Sequence, residues 1–128
     1  KRQNAQNGTN YTFEQITTWD WMKRTFKSPW SVLDNYDFWD NVEINKNAVD
    51  CLENLVNQGH QVYLVTASHY MPTLSYKVHK TLLSFNPNLI GEDNVIICRN
   101  KQLLKGDIII DDAPHNLNMY AHSRKHSF

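Results

Sequence analysis

The sequence predicts an α/β fold with a parallel sheet, and three apolar runs carry that prediction. These runs, at residues 61–65, 94–98 and 108–110, are short and rich in residues that favour strands. The third run places isoleucines on both faces of its strand, so this strand is expected to be covered on both sides. Cover on both faces is typical of the parallel sheets of α/β proteins.

The first ten residues resemble the end of a helix that Gly8 closes. A helix that starts in mid-turn at residue 1 is unusual, so we expect the true amino terminus to lie upstream of Lys1. At the other end, a polar stretch runs into Phe128, which resembles the start of a strand. We therefore expect the chain to be truncated at both ends, with residues 1–10 as the tail of an upstream helix.

Residues 11–44 are rich in aromatic residues, and no helical or strand period holds across the whole segment. We predict that they form a small helical cap built from short helices. Short helices are expected near residues 18–26 and 30–39. All four tryptophans of the chain lie in this region. Two interpretations stay open for them: packing within a segment that has little core of its own, or a clamp for a nucleobase, where stacking contributes ~1–3 kcal/mol per base.

Residues 45–128 are predicted to form the α/β core, which begins with an amphipathic helix over residues 46–58. Asn45 is a favoured N-cap residue, and Gly59 has the conformational freedom that a helix-ending residue needs. The apolar residues at helical spacing are Ala48, Val49, Leu52, Leu55 and Val56. The strand at residues 61–65 follows at once, which makes a tight helix–strand unit.

A second helix of the core is predicted to start at Pro72 and to end near residue 84, since proline is favoured in the first helical turn. The residues expected to face inward are Leu74, Val78, Leu82 and Leu83. The lysines of this helix, Lys77 and Lys80, are expected to be solvated and to make little contact with any phosphate.

The composition argues against several classes of function. Thirteen basic and thirteen acidic residues cancel among 128, and no basic stripe indicates a duplex nucleic acid as partner. No apolar run approaches the roughly 20 residues that span a bilayer, so no membrane association is expected. Cys51 and Cys98, the two cysteines, are expected to be buried reduced thiols, which fits a cytoplasmic location. The six histidines lack metal-ligand spacing, which argues against a zinc site.

Chemically distinctive residues follow each predicted strand. They are Thr66, Ala67 and Ser68 after the first, Lys101 after the second, and Asp111 and Asp112 after the third. Each group alone has an ordinary explanation: a strand–loop junction, a surface lysine, and a cap for the helix that Pro114 begins. Because the carboxyl ends of strands form the ligand crevice of open α/β sheets, we expect a hydroxyl, a lysine and an acidic pair to meet there. Such a site suits a phosphoryl group with a divalent cation.

The order and spacing of these segments resemble the later motifs of the haloacid dehalogenase (HAD) phosphatase superfamily, and most of all its 5′(3′)-deoxyribonucleotidases. The specific part is Arg-x-Lys followed by Gly-Asp-Ile-Ile-Ile-Asp-Asp, over residues 99–112. The resemblance implies a Rossmann-like, HAD-type three-layer sandwich with a parallel sheet and a small helical cap. It also implies a Mg²⁺-dependent phosphomonoesterase that hydrolyses (deoxy)nucleoside monophosphates to nucleoside and phosphate.

The resemblance also implies a phosphate site and a catalytic lysine. Thr66 and the backbone of Ala67 and Ser68 would hold the phosphate. Lys101 would neutralise the charge of the phosphate and of the nucleophile, so Thr66 and Lys101 are the catalytic candidates within the chain.

Two further assignments follow from the same resemblance. Asp112 would be the Mg²⁺ ligand, with Asp111 beside it as a second ligand or as a supporting residue. In the nucleotidases, aromatic residues of the cap line the base pocket, and Phe38 and Trp39 are the best match in this chain.

One motif of the family is absent from the sequence. No apolar strand ending in Asp-x-Asp, which would supply the nucleophile and the general acid/base, occurs near the start of the chain. The nucleophile that forms the aspartyl-phosphate is therefore expected upstream of Lys1, and the chain by itself is expected to be inactive. Two alternatives stay open: a noncatalytic nucleotide- or protein-binding module, and a HAD phosphatase for another phosphoester. The expected partner is a small nucleotide, and a homodimer is one assembly that the sequence permits.

Overall fold

A computed structural model describes residues 2–18, 20–67 and 69–125, and within these ranges the chain is a mixed α/β structure. The helices are α1 (Arg2–Asn7), α2 (Trp21–Thr25), α3 (Tyr36–Asp40), α4 (Lys46–Asn57), α5 (Met71–Leu82) and α6 (Pro114–Lys125). The strands are β1 (Leu64–Thr66) and β2 (Val95–Ile97). Short 3-10 turns lie at Phe13–Gln15, Ser31–Asp34, Glu92–Asn94 and Lys101–Leu103.

The two strands pair in parallel, with Leu64 opposite Val95 and Thr66 opposite Ile97. The pairing extends one residue further, where the backbone N–H of Cys98 donates to the carbonyl oxygen of Thr66 at 2.8 Å. A parallel pair needs a crossover connection, and α5 lies within it. The carboxyl ends of β1 and β2 therefore lie side by side, and the predicted α/β class with a parallel sheet is confirmed.

Helix α4 begins and ends where its sequence signals predict. The Asn45 side chain accepts the backbone N–H groups of Asn47 at 3.0 Å and of Ala48 at 3.4 Å, which satisfies two donors that have no partner within the helix. After the helix, Gly59 adopts a φ of +92°, in the left-handed region that favours glycine. The chain can therefore turn directly from α4 into the strand that follows.

A small apolar core joins α4, β1 and the end of α5. Its buried centre consists of Val49, Phe85 and Ile90, and the partly buried residues packed against it are Leu52, Val56, Val62, Leu64, Leu82 and Leu89. The prediction that Leu83 faces inward is wrong, because this side chain is 68% exposed. Helix α5 ends at Leu82, so helical spacing no longer sets the direction of the next residue.

Residues 31–40 are held against α5 by hydrogen bonds to its first turn. The Thr73 hydroxyl donates to the carbonyl of Leu33 at 3.0 Å, and the Tyr36 hydroxyl donates to the carbonyl of Pro72 at 2.9 Å. Both α3 and the 3-10 turn before it pack on α5. These contacts fix the aromatic-rich segment relative to the helix that follows β1.

The helix predicted over residues 30–39 is divided into two short pieces. Asn35 is extended, with φ −104° and ψ 125°, and its side-chain oxygen accepts the backbone N–H of Asp37 at 2.9 Å. An asparagine in this conformation ends one piece and caps the next. The preceding helix, predicted over residues 18–26, is likewise shortened to α2.

The predicted third strand is wrong. Residues 108–110 form no strand within the described ranges, and Ile108 and Ile110 are 83% and 81% exposed. A strand is stable when its backbone N–H and C=O groups pair with a neighbouring strand. The described sheet contains β1 and β2 alone, and residues 108–110 pair with neither of them. The apolar cover on both faces fails with the strand, and the three-layer sandwich stays a prediction.

Smaller predictions concern the ends of the chain and its thiols. Helix α1 is closed by Gly8, whose φ is +62°, as predicted, and Phe128 lies outside the described residues. Cys51 and Cys98 are free thiols, but Cys51 is exposed and Cys98 only half-buried, so their predicted burial is wrong. Every helix in the described ranges is too short or too polar to cross a bilayer.

Candidate functional site

A lysine from α5 contacts the residue at the carboxyl end of β1. The Lys77 ammonium donates to Thr66 Oγ1 at 2.8 Å, and Lys77 is half-buried, so the prediction that it is solvated is wrong. Lys77 follows Thr73 by four residues and Leu74 by three, and both of these are buried. Residues at this spacing share one face of a helix. Lys77 therefore lies on the inward face of α5.

The surroundings of Lys77 leave its positive charge without an acidic partner. Burial lowers the pKa of Lys77, and the positive charge of Lys101 lowers it further, so the two ammonium groups interact. Among the described residues, no carboxylate oxygen lies within 4.0 Å of the Lys77 ammonium. The Lys77 ammonium at the Thr66 hydroxyl, with the charge of Lys101 acting on it, therefore creates a favourable place for an anion.

Lys101 is the second lysine of this region and is paired with an acid. It begins the 3-10 turn after β2, and its ammonium lies 2.5 Å from Asp111 Oδ2. The pair is largely shielded from solvent, with 18% of the Lys101 side chain and 5% of the Asp111 side chain exposed. We call Thr66, Lys77, Lys101 and Asp111 the strand-end cluster. It contains one hydroxyl, two ammonium groups and one carboxylate.

The Asp111 carboxylate is held by donors on both of its oxygens. Besides the Lys101 contact on Oδ2, its Oδ1 accepts the backbone N–H of Ala113 and the Nδ2 amide of Asn116, each at 2.9 Å. Burial acts to raise the pKa of the Asp111 carboxyl. The hydrogen bonds from Lys101, Asn116 and the Ala113 backbone outweigh burial and hold this pKa below the ordinary value. Asp111 therefore anchors Lys101 to the start of α6.

The depressed pKa of Asp111 predicts a pH-dependent contribution to stability. A carboxyl group whose pKa is lower in the folded state than in the unfolded state stabilises the fold above its ordinary pKa, here 3.8. This stabilisation is lost as the pH falls through the folded-state value. The difference in urea-unfolding free energy between the wild type and Asp111→Asn should be large at pH 6 and should shrink below pH ~4. A difference that is the same at both pH values would contradict this assignment. Asp93→Asn, at an exposed carboxylate before β2, is the control.

Asp112 is the exposed carboxylate beside this anchor, and its side chain could hold a metal ion. Both oxygens of Asp111 already accept hydrogen bonds from the protein, whereas the Asp112 side chain faces solvent. No group of three or more His, Cys, Asp or Glu side chains comes together in the part of the chain that the structure describes. Mg²⁺ commonly uses one or two carboxylates together with substrate phosphate and water, so a single exposed carboxylate beside the Lys101–Asp111 pair fits this ion.

The end of β1 opens into a small groove that also reaches the cap segment. Ala67, Trp39 and Lys77 are among the residues that line this groove, whose volume is about 70 Å³. A larger groove of about 310 Å³ shares Trp39 and Lys77, but neither Thr66 nor Ala67 lines it. Both grooves therefore reach Lys77 of the strand-end cluster, and the smaller one also reaches Ala67, the residue after β1. Ser68, which the sequence assigns to phosphate binding, lies outside the described residues.

Phe38 and Trp39, the predicted base-binding residues, lie on α3 and contact each other. Their ring centroids are 4.9 Å apart at an interplanar angle of 88°, an edge-to-face arrangement. The Trp39 indole N–H donates to the carbonyl of Leu33 at 3.0 Å, and the Lys77 ammonium lies 5.3 Å from the centroid of the Trp39 ring. Trp39 thus connects the cap segment to the strand-end cluster, and Phe38 packs against Trp39.

The early aspartates of the chain make contacts elsewhere. Asp20 pairs with Arg24 at 2.7 Å. Asp34 lies 3.8 Å from the His69 imidazole, and Asp40 lies 3.6 Å from the Lys80 ammonium. Asp40 also accepts a hydrogen bond from the Tyr76 hydroxyl, which raises the pKa of Tyr76. The contacts of Asp20 and Asp40 lie in the cap segment and on α5, whereas Asp34 contacts His69, which lines the groove at the end of β1.

Sequence reasoning missed two residues of the site, and one of them had a readable signal. Lys77 occupies an inward position of α5, which its spacing from Leu74 could have indicated. Asn116 has no such signal, because its role depends on how the first turn of α6 lies against Asp111. Lys101 and Asp111 were selected correctly as a neighbouring pair in space, although their roles stay predictions.

Taken together, these features define an α/β protein with a cationic, hydroxyl-bearing site at the carboxyl ends of parallel strands, a position typical of ligand sites in this class. A comparison with family models matches residues 1–125 to the family described as 5′ nucleotidase, deoxy (pyrimidine), cytosolic type C protein (NT5C). The chain belongs to this HAD-like family, and the resemblance seen in the sequence is confirmed.

Two curated relatives carry the name 5′(3′)-deoxyribonucleotidase, one from Bacillus subtilis (strain 168) and one from Bacillus phage SPbeta. Each is 32% identical to the chain over 110 residues, which is 84% of the chain and 62% of the relative. The chain thus spans less than two thirds of the length of these relatives. No solved structure matches it at a significant level.

Proposed function

We propose that the protein is a phosphomonoesterase that hydrolyses (deoxy)nucleoside monophosphates to nucleoside and inorganic phosphate. The observation that carries this proposal is the strand-end cluster, in which Lys77 donates to the Thr66 hydroxyl at the end of β1 and Lys101, just after the neighbouring strand β2, is anchored by Asp111. Membership in a nucleotidase family, and relatives named 5′(3′)-deoxyribonucleotidase, support the substrate class.

Lys101 has the donors and the charge that phosphate binding requires. An ammonium group has three N–H donors, and the contact with Asp111 uses one of them. The remaining two can reach phosphate oxygens, while Asp111 keeps the side chain in place. Positive groups fixed in advance stabilise the charge that develops on a transferring phosphoryl group, and they need little rearrangement during the reaction. We therefore assign charge neutralisation to Lys101 and phosphate positioning to Thr66 and the backbone at Ala67.

Asp112 would hold a Mg²⁺ ion, which when bound would neutralise charge between the phosphate and an attacking carboxylate. Asp111 would support this arrangement indirectly, since its oxygens are occupied by Lys101, Ala113 and Asn116. In this proposal Asp111 is a positioning residue and Asp112 the ligand.

The proposed reaction passes through an aspartyl-phosphate that water then hydrolyses. The 128 residues contain no Asp-x-Asp sequence, so we assign the nucleophile to such a motif outside them. Residues 1–128 alone would then bind phosphate without turnover.

A phosphate-release screen on the full-length protein tests the proposal. The panel contains 5′- and 3′-deoxynucleoside monophosphates, ribonucleotides and sugar phosphates, each with and without Mg²⁺. The proposal expects Mg²⁺-dependent release from the deoxynucleotides. Preferred release from a sugar phosphate would instead indicate a HAD phosphatase for another phosphoester. Nucleotide binding without any release would indicate a noncatalytic binding module.

A further inference from the structure

We propose that Lys77 is a positioning residue that fixes the Thr66 hydroxyl as a hydrogen-bond donor to the substrate phosphate, and that Trp39 holds Lys77 in this position. The inference rests on the proposed function, since it assigns a role within the same site. Lys77 is a residue that the sequence analysis expected to be solvated. Its side chain contacts both Trp39 of the cap segment and Thr66 of the proposed phosphate site.

The direction of the hydrogen bond between Lys77 and Thr66 follows from their chemistry. An ammonium group can only donate, so Thr66 Oγ1 must be the acceptor of the 2.8 Å contact. A hydroxyl has one hydrogen of its own, and this hydrogen then points away from Lys77. Within the described part of the chain, no acceptor takes it. The Thr66 hydroxyl is therefore left as a donor that faces the strand ends, where phosphate oxygens would accept it.

Lys77 contributes charge to the same place. No carboxylate of the described residues lies within 4.0 Å of its ammonium. The positive charge of Lys101 repels this ammonium and lowers its pKa. A phosphate between the two ammonium groups relieves their repulsion, which makes the anion a partner of both. Lys101 is anchored by Asp111, whereas no acid of the described residues pairs with Lys77 and competes with the phosphate for its charge.

Trp39 explains why the Lys77 side chain stays in place. The ammonium lies 5.3 Å from the centroid of the Trp39 ring, within the range of a cation–π contact. The indole is fixed by its hydrogen bond to the carbonyl of Leu33, a carbonyl that also accepts from Thr73 on α5. The ring therefore has a fixed position relative to α5. The Trp39 ring can therefore hold the Lys77 ammonium in place.

The test measures the affinity for orthophosphate by calorimetry, and kcat and KM for a deoxynucleoside monophosphate, in the full-length protein. Lys77→Met should weaken orthophosphate binding about 10- to 100-fold, the range expected for the loss of a hydrogen bond to a charged group. KM should rise by more than kcat falls, because the contact forms when the substrate binds.

Lys80→Met is the matched control: this lysine lies one turn along α5 and pairs with Asp40 of the cap segment. It should change phosphate affinity by less than about 3-fold, as expected for an exposed ion pair.

A double-mutant cycle separates positioning from simple charge. If Lys77 acts through Thr66, the loss of affinity caused by Lys77→Met should be at least several-fold smaller in the Thr66→Val background. Additive losses would overturn the positioning role. If the wild-type protein hydrolysed the nucleotide but Lys77→Met bound phosphate with unchanged affinity, the positioning role would also be overturned. The proposed function would stand in that case. Lack of hydrolysis by the wild type, with a non-additive loss of phosphate affinity, would overturn the proposed function and support the Lys77 assignment.

Discussion

Asp112→Asn in the full-length protein should lower Mg²⁺-dependent turnover about 10²- to 10³-fold, the cost typical of losing one preorganised electrostatic group at a reacting centre. The Asp112 side chain is exposed, and the neighbouring Asp111 makes the structural contacts of this segment. The substitution should therefore change the free energy of unfolding by no more than about 0.5 kcal/mol. A large loss of rate with little loss of stability is the pattern expected of a metal ligand.

The measurement is kcat as a function of Mg²⁺ concentration, together with urea unfolding of each variant. Asp93→Asn removes an equally exposed carboxylate from the turn before β2, at the opposite end of that strand from Lys101. It should leave turnover at the wild-type level. If Asp112→Asn hydrolysed substrate at nearly the wild-type rate in saturating Mg²⁺, Asp112 would not be the ligand.

The elements that local sequence specifies are the ones that sequence analysis predicted well. Helix α4 carries its own cap at Asn45 and its own end at Gly59, and its apolar spacing selects Val49 for burial. The pairing of β1 with β2 follows from two short apolar runs connected by a helix. Each of these signals acts over a few residues, so a single sequence is enough to read them.

The features that sequence analysis missed depend on distant partners. Residues 108–110 have every local property of a buried strand, yet they pair with neither strand of the described sheet, and Ile108 and Ile110 remain exposed. The contact between Lys77 and Trp39 joins residues 38 positions apart, on helices whose packing no local pattern specifies. Composition suggested that the tryptophans pack or stack on a base. It gave no sign that one of them would contact a lysine.

Lys101→Met should weaken both phosphate binding and catalysis, and it should also destabilise the fold. The substitution removes an ammonium group from the strand-end cluster, and it leaves the buried Asp111 carboxylate without its charged donor. Loss of a hydrogen bond to a buried charged group costs about 1.5–3 kcal/mol of stability. Free phosphate should inhibit the variant less strongly than the wild type. The kcat should fall by about 10²-fold or more. Inhibition by free phosphate that is unchanged from the wild type would contradict a phosphate contact.

A double variant distinguishes the two roles of Lys101. In Lys101→Met with Asp111→Asn, the neutral amide can still accept from the Ala113 backbone, and no unpaired buried charge remains. Stability should therefore recover toward the wild type, measured by urea unfolding, because removing both partners of a buried pair costs less than removing one. Phosphate affinity and turnover should not recover, since the ammonium group to which we assign the phosphate contact is still missing. Recovery of activity together with stability would mean that Lys101 only supports the fold, and the charge at the strand ends would then have to come from Lys77 alone.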